Sequence, residues 1–363
     1  MLHTVPERAS IPRDRLSRRA VLACLGAACL GRGLAADESP SVDSRDLLTP
    51  ESDAAISLGL DWLAGRQQPD GAFGPEMAFN RYRRNPAVNA ICGLALLASG
   101  STPGRGPYGL HLDRLTKLLH SYSSATGFIS EPEADYDQQP MYGHGFAATY
   151  LAEVYGMSDE PQLRAAVHRA VQLIVDTQNR EGGWRYHPEP READISVTVC
   201  QVMALRAAHN TGIAVPRETI DRAVAYVTRC QNPDGGFRYQ PLAGGESAFP
   251  RSAAALVALF TSGAADSPAI ASGLRYLQQF RPGEARGLDR GYYFYAQYYA
   301  VQAAWHAGGD HWREWYSPLR DELLRQQLSD GHWNDPVISA EYATAMALIA
   351  LQLPNNYLPI FQR

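Results

Sequence analysis

The chain has 363 residues, of which 45% are apolar, 10% aromatic and 20% charged, enough to bury a large hydrophobic core. Its 33 basic and 38 acidic residues give a net charge of −5, which argues against nucleic acid as the main partner. Composition therefore indicates a globular protein rather than a disordered chain or a nucleic-acid-binding domain.

Residues 1–36 have the pattern of an export signal. Arg18 and Arg19 precede an apolar stretch and a run of small residues that ends at Ala36, the order typical of a twin-arginine signal peptide. The apolar stretch is shorter than the ~20 residues that cross a bilayer, so we expect export rather than a permanent anchor. Residues 37–53 are interpreted as a linker, and we expect a periplasmic or extracellular protein without an integral membrane span.

Neither the cysteines nor any known cofactor motif predicts a specific chemistry. Three cysteines lie beyond the signal, at Cys92, Cys200 and Cys230, an odd number without the spacing of metal ligands. We therefore predict no disulfide framework, no metal site and no cofactor.

One turn motif recurs along the rest of the chain. A glutamine is followed by a glycine at the fourth position after it and by an aromatic residue at the sixth. Complete copies begin at Gln67, Gln178, Gln231 and Gln327, and degenerate copies at Ser123 and Gln279. The copies are 48 to 56 residues apart, which predicts six structural repeats.

Each copy separates two predicted helices. The helix before the turn is amphipathic, and the turn residues before the glycine are typical of a helix end. The helix after the turn is apolar on nearly every side, which indicates an inner position. The predicted inner helices span residues 87–97, 144–155, 196–209, 252–260, 295–306 and 340–351.

Six outer and six inner helices without strand patterns predict one architecture. The fold class is all-α, a single-domain α6/α6 toroid over residues 54–363, with a central pocket for a hydrophobic or amphipathic ligand. An open superhelical stack is the alternative, but it needs polar capping repeats, which the sequence lacks.

The repeated turn resembles that of squalene and oxidosqualene cyclases, and a single six-repeat toroid resembles the β subunits of protein prenyltransferases. The likeness covers residues 54–353 and implies an isoprenoid-like small molecule as the partner. The closing segment Tyr357–Arg363, with His144-Gly145 and Asp194–Thr198, resembles a bacterial branch of secreted squalene-cyclase-like proteins.

The resemblance also identifies a missing acid. Triterpene cyclases open the third inner helix with Asp-x-Asp-Asp-Thr, whose middle aspartate protonates an alkene or epoxide. Here Asp194 and Thr198 match the ends of that motif, whereas Ser196 and Val197 replace the other acids. A serine cannot supply the strong acid that an alkene needs. Asp194 is therefore a candidate catalytic residue of a relative without the usual donor, and helix capping is its alternative role.

Other candidates lie near the starts of the inner helices. His144 is the second catalytic candidate, with a buried structural histidine as the alternative. Aromatic, cationic and acidic side chains that could line a ligand site are Trp184, Arg185, Tyr186, Arg251, Tyr292, Tyr295, Tyr298 and Glu341. Core packing or surface exposure is the alternative for each. The fifth inner helix has no cysteine or histidine in the places where prenyltransferases bind zinc.

Three functions remain open from the sequence. The first is a terpenoid-cyclase-like or prenyltransferase-like protein that binds or transforms an isoprenoid. The second is a non-catalytic exported binding or scaffold protein of the same fold. The third is a glycan-active α6/α6 enzyme, whose paired carboxylates would come from Glu133, Asp135, Asp137, Asp194 and Glu341.

Overall fold

The computed structural model describes residues 44–74, 84–132, 139–158, 160–242, 244–283 and 292–362. The predicted signal at 1–36 and the acidic candidates Glu133, Asp135 and Asp137 lie outside these residues. Within the described ranges the chain forms twelve α-helices and no β-strand. None of these helices combines the length and the apolar character that a membrane crossing needs.

The helices alternate between an outer and an inner layer. The outer helices are α1 (Pro50–Gly65), α3 (Gly109–Ser121), α5 (Pro161–Asp176), α7 (Arg217–Arg229), α9 (Pro268–Leu277) and α11 (Gly309–Gln326). The inner helices are α2 (Pro86–Ala98), α4 (Pro140–Met157), α6 (Ile195–Asn210), α8 (Phe249–Thr261), α10 (Tyr293–Ala307) and α12 (Ala340–Gln352). The inner helices are buried almost all round, whereas the outer helices are buried along one face. Helix α1 begins inside the segment interpreted as a linker.

The inner helices form a closed ring. Each packs against the next along the chain, and α12 packs against α2. The turn after α11 also meets α1, because Gln327 Nε2 donates a hydrogen bond to the Ala55 carbonyl at 2.9 Å. A Cβ placed on Gly331 would lie 2.7 Å from the Leu58 carbonyl oxygen, so the two backbones are in close contact. The predicted α6/α6 toroid is confirmed, and the open stack is wrong.

The complete copies of the repeated turn join an outer helix to the next outer helix. In its complete copies the glutamine amide donates to the glycine carbonyl of its own turn and to a carbonyl of the following outer helix, at 2.8 to 3.1 Å. The glycine allows the close approach: Gly182 has a φ of +98°, and a Cβ there would lie 2.3 Å from the Arg222 carbonyl oxygen. Glycine is therefore required for both backbone conformation and space.

A second link ties five of the six turns to their inner helices within the described residues. A backbone N–H of the turn donates to a side-chain acceptor near the start of that helix, at 2.8 to 3.2 Å. The pairs are Phe73 with Asn89, Ile129 with His144, Trp184 with Thr198, Phe237 with Ser252, and Trp333 with Thr344. These bonds satisfy buried backbone donors that the turn would otherwise leave unpaired.

The centre of the ring is filled. Leu358, Ile360 and Phe361, which follow α12, are at most 3% exposed and lie against the inner helices. The cavity between Phe361 and the inner helices has a volume of about 10 Å³, roughly the space of one water molecule. It is bordered by residues that include Leu94, Phe146, Thr149, Met203 and Tyr298. The space here is therefore much smaller than the predicted ligand pocket, because aromatic side chains and the last described segment occupy it. Ligand binding within the ring stays a prediction.

Candidate functional site

Asp194 is buried at the N-terminal end of the inner ring. Its Oδ1 accepts a hydrogen bond from the Val197 N–H at 3.0 Å, so it caps helix α6. Among the described residues no hydrogen-bond donor of good geometry reaches Oδ2, although the Tyr239 hydroxyl lies beside the carboxyl. The cap uses one carboxyl oxygen and leaves the other for a further partner.

Four half-buried tyrosines form a cluster beside this carboxyl, and we call them the tyrosine floor: Tyr142, Tyr186, Tyr239 and Tyr295. The Tyr186 and Tyr239 hydroxyls are 2.6 Å apart, and the Tyr142 and Tyr186 rings are 6.4 Å apart between centroids. The Tyr295 hydroxyl lies beside Ser196. The floor therefore combines apolar ring faces with hydroxyl groups, and successive repeats contribute its members.

Arg185 lies over two rings of the floor. Its guanidinium carbon is 4.9 Å from the centroid of Tyr186 and 5.9 Å from that of Tyr239, the geometry of cation–π contacts. It also forms an ion pair with the exposed Glu192 at 3.2 Å. The side chain is thus held at the rim, where its positive charge acts on Asp194.

The environment of Asp194 makes it a weaker acid than usual. Burial raises its pKa to about 6, while the Val197 N–H, the Tyr239 hydroxyl and the charge of Arg185 act in the opposite direction. Part of the carboxyl population is therefore protonated near neutral pH. A pKa of about 6 suits proton exchange with an oxygen atom, whereas protonation of an alkene requires a much stronger acid.

His144 is placed away from this chemistry. The ring is completely buried, and its Nδ1 accepts the hydrogen bond of the Ile129 N–H at 3.2 Å. Burial lowers the pKa of His144 to about 4, although the backbone of Ala170 favours the protonated ring. The ring is therefore neutral. It accepts a backbone N–H of its turn, as the Asn89 side chain does in the first repeat. This placement matches the alternative of a buried structural histidine, and the catalytic role of His144 stays a prediction.

The other predicted site residues separate into two groups. Arg185, Tyr186 and Tyr295 join Asp194 at the floor. Trp184 does not, because it is buried in the turn and its indole N–H donates to the Ile174 carbonyl at 2.7 Å. Its role is packing, as the alternative interpretation held.

Four further candidates lie apart from the floor or serve other bonds. Tyr292 is 58% exposed, whereas Tyr298 is buried and borders the small central cavity. Arg251 donates to the Phe237 carbonyl at 2.9 Å. Glu341 is buried, and its Oε1 accepts a hydrogen bond from Arg66 Nε at 2.9 Å, which joins the last inner helix to the end of α1.

Tyr142 is not among the residues that the sequence predicts for the site. Tyr239 has a sequence signal, because Gly-Gly-Phe237-Arg238-Tyr239 nearly copies the turn Gly-Gly-Trp184-Arg185-Tyr186 of the preceding repeat. Repeats that share a turn place equivalent residues at equivalent points of the ring, so both tyrosines were to be expected at one site. The described residues contain no group of three or more His, Cys, Asp or Glu side chains that could hold a metal ion.

Comparison of sequences finds terpenoid cyclase relatives. A family model for the squalene-hopene cyclase C-terminal domain matches residues 144–287. The chain is 35% identical over 187 residues to a drimenyl diphosphate synthase of Streptomyces showdoensis, which is 52% of this chain and 32% of that protein. It is also 30% identical over 193 residues to the drimenyl diphosphate synthase of Streptantibioticus cattleyicolor. This match covers 52% of this chain and 33% of that protein. The chain thus spans about a third of each relative. The resemblance to terpenoid cyclases is confirmed.

Comparison of structures finds the same toroid in proteins of different activity. The type II terpene cyclase MstE from Scytonema aligns with a TM-score of 0.58 and 15% identity, over 85% of this chain and 99% of that chain. The GH76A α-1,6-mannanase of Salegentibacter sp. HEL1_6 aligns with a TM-score of 0.60 and 10% identity, over 84% and 99%. At these identities the likeness establishes the fold alone.

Proposed function

We propose that this terpenoid-cyclase-like toroid binds an isoprenoid molecule that carries an oxygen group, with that oxygen at Asp194 and the chain across the tyrosine floor. The observation that carries the proposal is a buried carboxyl whose Oδ2 has no hydrogen bond of good geometry among the described residues, beside a cluster of half-buried tyrosine rings. Ring faces cover an apolar chain, and the hydroxyls and the carboxyl orient a polar group. The drimenyl diphosphate synthases support isoprenoid chemistry for the segment that this chain shares with them.

Asp194 would act on the oxygen of the ligand and not on a double bond. A carboxyl with a pKa of about 6 donates a proton or a hydrogen bond to an epoxide or hydroxyl oxygen near neutral pH. Because Tyr239 lies beside Asp194 and is bonded to Tyr186, the two hydroxyls form a path for a proton from the rim to the buried carboxyl. Each donor in this path is a residue of the described floor.

Binding of matched ligands tests the proposal. Geranylgeraniol, its terminal epoxide and the corresponding hydrocarbon are titrated into the purified protein by calorimetry, and organic extracts are analysed by mass spectrometry for products. We expect the two oxygenated ligands to bind at least about tenfold more tightly than the hydrocarbon. This ratio corresponds to the binding free energy of one well-placed hydrogen bond. Equal binding of all three ligands would refute the assignment of the oxygen to Asp194.

Variants separate the residues of the site from general hydrophobic binding. Asp194→Asn keeps a capping side chain but cannot donate the carboxyl proton, and Tyr295→Phe removes one hydroxyl of the floor. Tyr295→Phe should reduce the preference for oxygenated ligands. Asp194→Asn, whose amide can still donate a hydrogen bond to the ligand oxygen, should keep binding and lose any turnover of the epoxide. Tyr108→Phe is the matched control, since Tyr108 lies outside the floor and its hydroxyl donates to Asp61 at 2.8 Å. It should leave the preference for oxygenated ligands unchanged.

A non-catalytic binding protein is the second candidate, and two observations favour it. Ser196 stands where cyclases have the proton donor, and the centre of the ring is filled. Binding of the epoxide without any product would select this candidate. The glycan-active alternative needs a second carboxylate beside Asp194, and Glu341, a candidate for it, is instead paired with Arg66. The comparison with the mannanase supports only the shared fold.

The pattern in residues 1–36 supports export as part of the same proposal. Replacing the arginine pair, Arg18→Lys with Arg19→Lys, should keep the protein in the cytoplasm of a host that has twin-arginine transport. Immunoblots of cytoplasmic and periplasmic fractions measure the distribution. An unchanged distribution would contradict a twin-arginine route.

A further inference from the structure

Residues 357–362, the last described segment, fill the end of the ring that lies opposite the tyrosine floor. Its apolar side chains Leu358, Ile360 and Phe361 are almost completely buried, and the segment packs against α6. Few polar bonds fix it. Trp305 Nε1 donates to the Phe361 carbonyl at 2.8 Å, and Asn210 Nδ2 donates to the Pro359 carbonyl at a long 3.4 Å. Mainly apolar side chains therefore hold the segment in the ring.

A buried carboxyl faces this segment. Glu153 on α4 is 1% exposed, and neither of its oxygens makes a hydrogen bond of good geometry within the described part of the chain. Its polar neighbour is the backbone N–H of Ile360. Burying a carboxyl without full hydrogen bonding is costly, and an apolar residue would pack the same place more cheaply. Simple core packing therefore does not account for Glu153.

The surroundings fit an apolar chain with a polar end. The small cavity beside Phe361 is lined mostly by apolar residues from several inner helices, among them Leu94, Phe146 and Met203. Withdrawal of Ile360 and Phe361 would join their volumes to this cavity and leave Glu153 at its edge. The result is an apolar chamber with one carboxyl, the composition of a site for a long-chain alcohol.

We propose that residues 357–362 occupy a second binding site, and that a long-chain alcohol takes their place when the segment withdraws. The alkyl chain replaces the side chains of Ile360 and Phe361, and the hydroxyl group donates to Glu153 in place of the Ile360 N–H. This site is separate from the tyrosine floor and does not depend on the function proposed for it. The segment acts as an internal competitor that lowers the apparent affinity for the alcohol.

Calorimetric titration with 1-dodecanol and with 1-methoxydodecane tests this site in the full-length chain. The ether has a similar chain but no hydrogen-bond donor. In the variant Ile360→Ala with Phe361→Ala, we expect the affinity for 1-dodecanol to rise at least tenfold over that of the unchanged protein. The ether should gain less. Adding Glu153→Leu to this background should abolish the preference for the alcohol, because leucine has no hydrogen-bond acceptor at the chamber edge.

A second variant keeps the test valid if the double alanine variant does not fold. Trp305→Phe removes the hydrogen bond to the Phe361 carbonyl and leaves the apolar side chains of the segment in place. It should also raise the affinity for 1-dodecanol. Trp312→Phe is its matched control, because Trp312 packs on Trp305 at 4.8 Å between centroids and is not bonded to the segment. No gain in the folded variants, or an equal gain for alcohol and ether, would overturn the proposal.

Discussion

Replacing His144 by asparagine should remove a specific part of the acid sensitivity of the protein. In the unfolded chain the histidine takes up a proton near its ordinary pKa of 6.5, whereas in the folded protein burial lowers the pKa to about 4. The unfolded state therefore binds the proton first as the pH falls. The stability present above pH 6.5 is lost as the pH falls towards 4. The loss amounts to about 3 kcal/mol, since each pKa unit is worth about 1.4 kcal/mol.

Asparagine is a suitable replacement because Asn89 accepts the equivalent turn N–H in the first repeat. At pH 7 the smaller side chain should cost about 1 kcal/mol through lost packing. Between pH 7 and pH 4 the stability of the variant relative to the unchanged protein should rise by about 3 kcal/mol. Urea unfolding followed by tryptophan fluorescence at the two pH values measures this difference.

The control for this experiment is His168→Asn, because His168 is exposed on outer helix α5. It should leave the pH dependence unchanged. Parallel pH dependence in His144→Asn and the unchanged protein would refute the placement of a neutral, buried ring in the turn. Loss of ligand turnover in His144→Asn, with stability unaffected, would restore the catalytic interpretation.

The turn, the ring closure and the site give three further predictions, each measured by urea unfolding. Gly182→Ala should lower the free energy of unfolding by about 3 kcal/mol, because the added Cβ overlaps a neighbouring backbone and the φ is positive. Its control is Gly212→Ala, which has a positive φ but open space around it and should cost about 1 kcal/mol. Equal costs for the two variants would contradict the close approach at Gly182. Gln327→Ala should cost about 2 kcal/mol, because two carbonyls lose their donor, and a neutral result would weaken the account of closure. The raised pKa of Asp194, about 6 against 3.8, means that stability is lost as the pH rises through this window. Asp194→Asn should remove that loss of about 3 kcal/mol between pH 4 and pH 7, and an unchanged slope would contradict the burial of the carboxyl.

The architecture could be predicted because it is encoded locally and repeated. Each inner helix is apolar over its whole circumference, and each complete turn has glutamine and glycine at fixed spacing, so six weak patterns support one another. The bonds of Gln178 show why the spacing is strict: one amide nitrogen reaches the carbonyl of its own Gly182 and that of Thr219 on the next outer helix. A shift of one residue would break both bonds.

The site could be predicted only in part, because periodicity identifies which faces are buried and not what fills the space between them. Asp194 is predicted from its motif, and its neighbours Tyr186 and Tyr295 are predicted as aromatic side chains near the starts of the inner helices. The filled centre depends on Phe361, which is distant in sequence from the helices it meets. The orientation of His144 could not be predicted for a related reason, because a polar residue at an inner-helix start can face either the ring or the turn.

Closure through Gln327 and Gly331 has a consequence for how the molecule comes apart. A linear array of repeats frays from its ends, where each terminal unit has a single neighbour. Here every unit touches two, since the sixth turn meets the first outer helix. Local unfolding of one repeat therefore disrupts two interfaces at once. This favours cooperative unfolding of the whole ring over stepwise unfolding from one end. The same geometry makes the starting point of the circle arbitrary: a circular permutant cut in another exposed loop would have the same set of neighbours.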